Sequence, residues 1–224
     1  MANKTLVIGN KNYSSWSLRG WLALRHSGLE FKEIKLQLDT PSFHREIKKY
    51  NPAGKVPTLL DGNIRVWDSI AIIDYCAVVA PDKFWWPKDM KSLALARSIT
   101  AEMHSGFPHV RNHLPMNMRL NWHGTFGDKV QADIDRIDAI WSECRAASHT
   151  KGDFLFGGFS AADMMYAPVV SRFLTYNVQL GTTAKAYVDA VRQHPYMKEW
   201  YSEAAQEKDI VPMDEIDPGA KQLG

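Results

Sequence analysis

Three groups of residues in this chain have the types and spacing to do chemistry. The first is "NYSSWS", residues 12–17, set between a short apolar run and a helical pattern. A hydroxyl there either caps the helix by accepting an N–H of its first turn, or gives its proton to a bound anion. The second is "NPAGKVPTLLDGNIRVWDSIAIIDY", residues 51–75. Pro57 opens a strand pattern and cannot donate to a ladder, so Val56 before it keeps backbone groups that a bound peptide could pair with. Asp68 and Ser69 stand where strand gives way to helix. The unpaired N–H groups of a helix start bind carboxylates, and Asp68 beside them suits an ammonium. Spacing alone also describes a plain helix cap, and favours it. The third is "EMHSGFPHVRNHLPMNMR", residues 102–119. His109 and His113 have the i, i+4 spacing of a metal pair, but no carboxylate or cysteine sits at a matching offset. They read as solvated histidines, and no metal is expected.

The elements that must position these residues follow from pattern. "TLVIG" is β-branched and apolar and reads as a buried strand. Residues 17–27 turn helical through Leu18, Trp21, Leu22 and Leu24, and Gly28 stops them. "FKEIKLQL" alternates at Ile34, Leu36 and Leu38 as a second strand. "TPSFHREIKKY" is a short polar helix or turn. "PTLLD" and "IRVWD" flank Gly62-Asn63 as a hairpin, and "SIAIIDYCAVVA" is a helix ended by Pro81. The order β-α-β-α-β-β-α implies one parallel and one antiparallel pairing. "DKFWWPKDM" reads as a linker, and strand patterns end there.

Downstream, Ile99, Met103, Phe107, Val110, Leu114 and Met118 keep one helix face over many turns, with a kink or break expected at Pro108. Val130, Ile134, Ile137, Trp141 and Cys144 mark another helix. Residues 161–176 are apolar nearly all round, as a central buried helix would be. Residues 187–207 give further helices broken at Pro195, and the polar last dozen residues are expected to fray.

The totals bound the partners. The chain has 224 residues with a formal net charge of +2, and 45% of them are hydrophobic. That is a globular composition with no basic stripe for nucleic acid. No run approaches a membrane span of about 18 apolar residues, and the first residues are too weakly apolar for a signal peptide. The two cysteines form no CxxC, which fits a reduced cytoplasmic setting.

Residues 51–75 resemble the glutathione site of the cytosolic glutathione transferases. "FSAADMMYAPVV", residues 159–170, resembles that family's N-capping box and hydrophobic staple, so the resemblance spans nearly the whole chain. For Ser160 and Asp163 the structural reading wins: they cap a helix and do no chemistry. The resemblance implies an α/β thioredoxin-like domain over 1–83, a linker over 84–92 and an all-helical domain over 93–224. It further implies a cis Val56–Pro57 bond, Val56 pairing with the cysteinyl backbone of glutathione, and Ser69 on the γ-glutamyl carboxylate. Asp68 would stand near the amino group, and Lys55 near the glycyl carboxylate.

In the same family the activating residue lies between the first strand and first helix, and the register places Ser14 there, with Tyr13 as the rival and Asn12 third. "SSWS" resembles the SSCS of the zeta class, with Trp16 where that class has cysteine, which argues against protein thiol chemistry. Trp16, Phe107 and Arg111 would border a second-substrate pocket; for Phe107 and Arg111 the plainer reading is core and surface. The implied activity is glutathione transfer to a small hydrophobic or acidic electrophile, a detoxification chemistry, in a homodimer. Two alternatives stay open: a glutathione-dependent isomerase or dehalogenase of small acids, and a weakly catalytic binding or regulatory protein.

Overall fold

A computed structural model describes residues 4–148 and 151–224. Its first part is a four-stranded sheet covered on both faces. β1 (Lys4–Ile8), β2 (Phe31–Lys35), β3 (Thr58–Asp61) and β4 (Ile64–Trp67) lie in the order β2-β1-β3-β4. β1 and β2 run parallel, with Lys4 opposite Phe31; β3 is antiparallel to both β1 and β4. The parallel pair needs a crossover, and α1 (Ser15–Ser27) supplies it.

Alternation along β1 sends Leu6 and Ile8 to one face and Val7 to the other. Leu6 and Ile8 join Leu18, Trp21 and Leu22 of α1 and Ile72, Ile73 and Cys76 of α3 (Ser69–Val79) in the main core. Val7 meets Phe43 and Ile47 of α2 (Pro41–Tyr50). The second strand is shorter than its alternation predicts. It ends at Lys35, and Leu36 and Leu38 instead pack on the α2 cluster. A side chain at Gly20 would bring its Cβ 2.9 Å from Pro57 Cγ, so only glycine lets α1 lie this close to the turn before β3. Gly28 ends α1 in the left-handed conformation, at φ 74°.

The helical part comprises α4 (Met90–Ser105), α5 (Pro108–His113), α6 (Asp128–Ala147), α7 (Ala161–Thr175), α8 (Thr182–Gln193) and α9 (Pro195–Gln206). The long apolar stripe is divided as expected, with the break at Gly106-Phe107, just ahead of Pro108. Phe107 takes the left-handed conformation, at φ 59°, as the residue before α5. Leu114 and Met118 continue the spacing but lie beyond α5, outside any helix. α7 is buried almost throughout, and its start carries the expected capping box: the Asp163 carboxylate accepts from Ser160 N at 2.8 Å and Ser160 Oγ at 2.7 Å. α1 packs against both α3 and α7, which joins the sheet to the helices.

The last dozen residues do not fray. After a 3-10 turn (Pro212–Asp214), β6 (Gln222–Leu223) pairs in parallel with β5 (Thr125–Phe126), and Ala220 accepts Trp122 Nε1–H at 2.9 Å. A polar tail composition predicted fraying because it carries no apolar period. What holds the tail is hydrogen bonding to groups far away in sequence.

Candidate glutathione site

A cavity of about 290 Å³ opens where α1, the 51–57 turn, the start of α3 and the end of α4 meet. Trp16, Lys55, Val56, Asp68 and Ser69, all singled out from sequence, line it; so do Asn51, Trp67 and His104, which were not assigned to it.

The Val56–Pro57 bond is cis. β3 begins one residue later, and among the described residues no hydrogen bond engages the backbone of Val56. The carbonyl of Lys55 is already taken by Asn51 Nδ2 at 2.8 Å and Thr58 Oγ1 at 3.2 Å, which fixes the turn. The Lys55 side chain is exposed at the rim.

Ser69 is the first residue of α3. It is 1% exposed, and its hydroxyl has no partner among the described residues. A buried hydroxyl without a partner costs roughly 1–3 kcal/mol, so its position at a helix start, on a cavity wall, points to an acceptor from outside the chain. Asp68, the residue before it, caps α3: its Oδ1 accepts Ile70 N at 2.9 Å. His104 Nε2 lies 3.0 Å from both oxygens of the same carboxylate.

Ser14 is the N-cap of α1, 5% exposed and not on the cavity wall. Its Oγ accepts Ser17 N at 3.3 Å and donates to Ser17 Oγ at 2.7 Å. Ser15, the next residue, accepts Arg172 Nη2 at 3.4 Å. The Tyr13 hydroxyl donates to the Glu215 carboxylate and accepts Arg119 Nη2 at 2.8 Å; burial and Glu215 raise its pKa. Asn12 is buried against Asn117. Both rivals of Ser14 are therefore committed to the tail and the loop after α5.

Phe107 and Arg111 do not line this cavity. Phe107 is 6% exposed in the core. Arg111 donates to the carbonyls of Met103, His104 and Gly106, closing the end of α4, and its guanidinium lies 5.0 Å from the Trp16 ring centroid. Arg19 stacks on the same ring at 4.5 Å.

Arg111, singled out from sequence, is joined by Arg19 and Arg172 in a cluster that sequence reasoning did not assemble, because arginine on an apolar helix carries no periodic signal. Burial, and then neighbouring arginines, push Arg19 well below its usual range; Arg172 is lowered to about 10 by the same causes. Both terminal nitrogens of Arg19 and one of Arg172 lack hydrogen-bond partners among the described residues. Cys76 and Cys144 are buried, their thiols pushed up to about 12, so neither supplies a thiolate near neutral pH. Among the described residues, no group of three or more His, Cys, Asp and Glu could hold a metal ion, and no helix is long and apolar enough to cross a membrane.

Comparison with known proteins places the chain in a family. The sequence pattern of the glutathione S-transferase N-terminal domain matches residues 13–78, and that of the C-terminal domain matches residues 126–203. Glutathione S-transferase Z2 of Arabidopsis thaliana is 34% identical over 174 residues, covering 71% of this chain and 74% of the relative. A probable maleylacetoacetate isomerase of Caenorhabditis elegans is 29% identical over 186 residues, covering 80% and 84%. Among solved structures, a Burkholderia glutathione transferase homologue with bound glutathione superposes with a TM-score of 0.70 at 20% identity, covering 91% of this chain and 99% of that one. A bacterial zeta-class maleyl pyruvate isomerase gives 0.70 at 17% identity, covering 92% and 100%. At those identities the structures show the fold, a thioredoxin-like domain followed by a helical one.

Proposed function

The chain belongs to the glutathione S-transferase family, and from that membership we propose that it binds glutathione in the 290 Å³ cavity and activates its thiol for attack on a small electrophile. The observation that carries the reading is the buried, unpartnered hydroxyl of Ser69 at the start of α3, beside the unengaged backbone of Val56. Val56 pairs with the cysteinyl backbone, Ser69 and the first N–H groups of α3 receive the γ-glutamyl carboxylate, Asp68 faces its ammonium, and Lys55 reaches the glycyl carboxylate.

The sulfur then sits at the N-terminus of α1. A free thiol has a pKa of about 8.5, so only a few per cent is thiolate at neutral pH. Ser14 turns its proton from Ser17 Oγ to the sulfur while keeping Ser17 N on its own oxygen. A neutral hydrogen bond of about 1 kcal/mol is exchanged for a charge-assisted one of about 1.5–3 kcal/mol. The difference lowers the thiol pKa by about one unit and raises the thiolate population about tenfold. The partial positive charge of the helix start acts in the same direction. The thiol proton leaves to solvent. The sulfur lone pair forms the new C–S bond, and a leaving group departs with its bonding pair, or an added carbanion takes a proton from water.

The test is calorimetric titration of glutathione into wild type and Ser69→Ala. Tight binding by wild type with at least tenfold weakening in the variant supports the reading; equal binding overturns the assignment of the cavity.

A second reading, isomerisation of a small acid, is favoured by the arginine cluster beside Trp16. Arg19, Arg111 and Arg172 concentrate positive charge that no salt bridge compensates among the described residues, and a carboxylate substrate would. In this reading the sulfur adds, the adduct rotates, and the sulfur leaves again, so glutathione is not consumed. Thiol consumption measured against product formed separates the two: one thiol per product for transfer, none for isomerisation.

We also take the protein to be a homodimer. Ile64 and Trp67 of the edge strand β4, Val78 of α3 and Met90 of α4 are exposed apolar side chains, which a subunit interface could cover. Sedimentation velocity of the wild-type chain tests this, and a monomer at micromolar concentration would refute it.

A further inference from the structure

Among the described residues, His104 is the one on the cavity wall that comes from the helical part; the other nine lie between positions 16 and 69. It sits in the last turn of α4, with its ring edge-on to Trp16 at 5.3 Å between centroids and Nε2 at 3.0 Å from each Asp68 oxygen. Among the described residues, apart from His104, the Asp68 carboxylate accepts only from Ile70 N, through Oδ1. The Asp68 side chain is 43% exposed, so that single bond would leave its outer oxygen free to turn toward water. His104 binds that outer oxygen as well, and the carboxylate then stays beside Ser69. The imidazole Nε2 meets both oxygens of that carboxylate, so it fixes the group's orientation and not only its place.

We propose that His104 is a positioning residue for glutathione, holding the Asp68 carboxylate toward the γ-glutamyl ammonium and so coupling α4 to peptide binding. This rests on the reading of the cavity as the glutathione site. Fixing a side chain before binding saves ordering entropy equivalent to roughly a few-fold to tenfold in affinity. His104 does not contact the reacting sulfur, so its loss changes binding and leaves turnover alone.

The experiment is a double-mutant cycle on the full-length protein, with glutathione dissociation constants from calorimetry. His104→Ala weakens binding by about fivefold to tenfold, with kcat at saturating glutathione unchanged. His104→Gln, which keeps a donor at similar reach, recovers most of the loss. Asp68→Asn weakens binding on its own, and Asp68→Asn combined with His104→Ala is no weaker. Glutathione acetylated on its γ-glutamyl nitrogen binds wild type and His104→Ala alike, because the ammonium is gone. Melting temperatures of all variants are recorded, and His104→Gln serves if His104→Ala folds poorly.

Additive losses in the double variant, or an equal loss with the acetylated peptide, would overturn the proposal, since His104 would then act independently of Asp68. An unchanged dissociation constant in His104→Ala would overturn it too. Failure of wild type to bind glutathione at all is a distinct result that removes the parent reading, and this one with it.

Discussion

At the scale of single residues, the site divides by how each side chain's partner is encoded. Val56, Asp68 and Ser69 were legible as neighbours because a proline and a helix start stand close together in one stretch. The structure brings all three to one cavity. Phe107 and Arg111 were expected beside a second-substrate pocket, and neither lines this cavity. Spacing predicts which side a residue faces only while the helix is continuous, and the left-handed Phe107 resets that direction. Arg111 then spends its donors on the carbonyls ending α4. His104 had a signal in principle: it follows the core residue Met103 and precedes the break by two positions. Its partner, however, lies 36 residues earlier, which no local pattern reveals. Ser69→Ala removes a donor to a charged carboxylate, so the glutathione dissociation constant rises at least tenfold while the melting temperature stays level or rises, because the orphaned hydroxyl is gone. Titration calorimetry and a thermal melt on the same samples check both halves of that outcome.

At the scale of elements, the order β-α-β-α-β-β-α and the later helices could be read from period and stop signals, and boundaries moved by only a few residues. What could not be read was the shortening of β2, since Leu36 and Leu38 keep the alternation while packing on α2. The start of α7 was readable as a capping box, and it carries a pH signature. Burial pushes the Asp163 carboxyl up to about 6 despite its bonds from Ser160 and Leu155. A carboxyl raised in the folded state favours folding in its protonated form. Its contribution is therefore greatest below about pH 4, the unfolded value, and is lost as pH rises through about 6. The stability difference between wild type and Asp163→Asn, from urea unfolding, shrinks over that window by at most on the order of 3 kcal/mol. A difference that grows with pH would mean the capping bonds outweigh the burial.

At the scale of the whole molecule, the tail was the part the sequence concealed. Glu207 is 8% exposed, and its carboxylate accepts Lys11 N at 2.9 Å, Asn12 N at 3.0 Å and Lys35 Nζ at 3.0 Å. Glu207, which caps α9 just ahead of the tail, thus holds the loop that leads into α1, and Glu215 within the tail holds Tyr13 beside it. A polar segment looks free in sequence because its partners are backbone groups roughly two hundred positions away. Glu207→Gln keeps one acceptor and loses the charge, so the protein loses about 1–3 kcal/mol and melts at a lower temperature. An unchanged melt would mean the loop before α1 is held by the sheet alone.

The central claim is that Ser14 gives its proton to the sulfur of bound glutathione. The direct measurement is the ultraviolet thiolate absorbance of the glutathione complex against pH, in wild type and in Ser14→Ala. The account predicts a bound thiol about one unit more acidic than the free value of about 8.5 in wild type, returning close to that value in the variant. The cap lost with it costs about 1 kcal/mol of stability. A variant whose bound thiol stays as acidic as in wild type would contradict the claim and leave Ser14 as a helix cap alone.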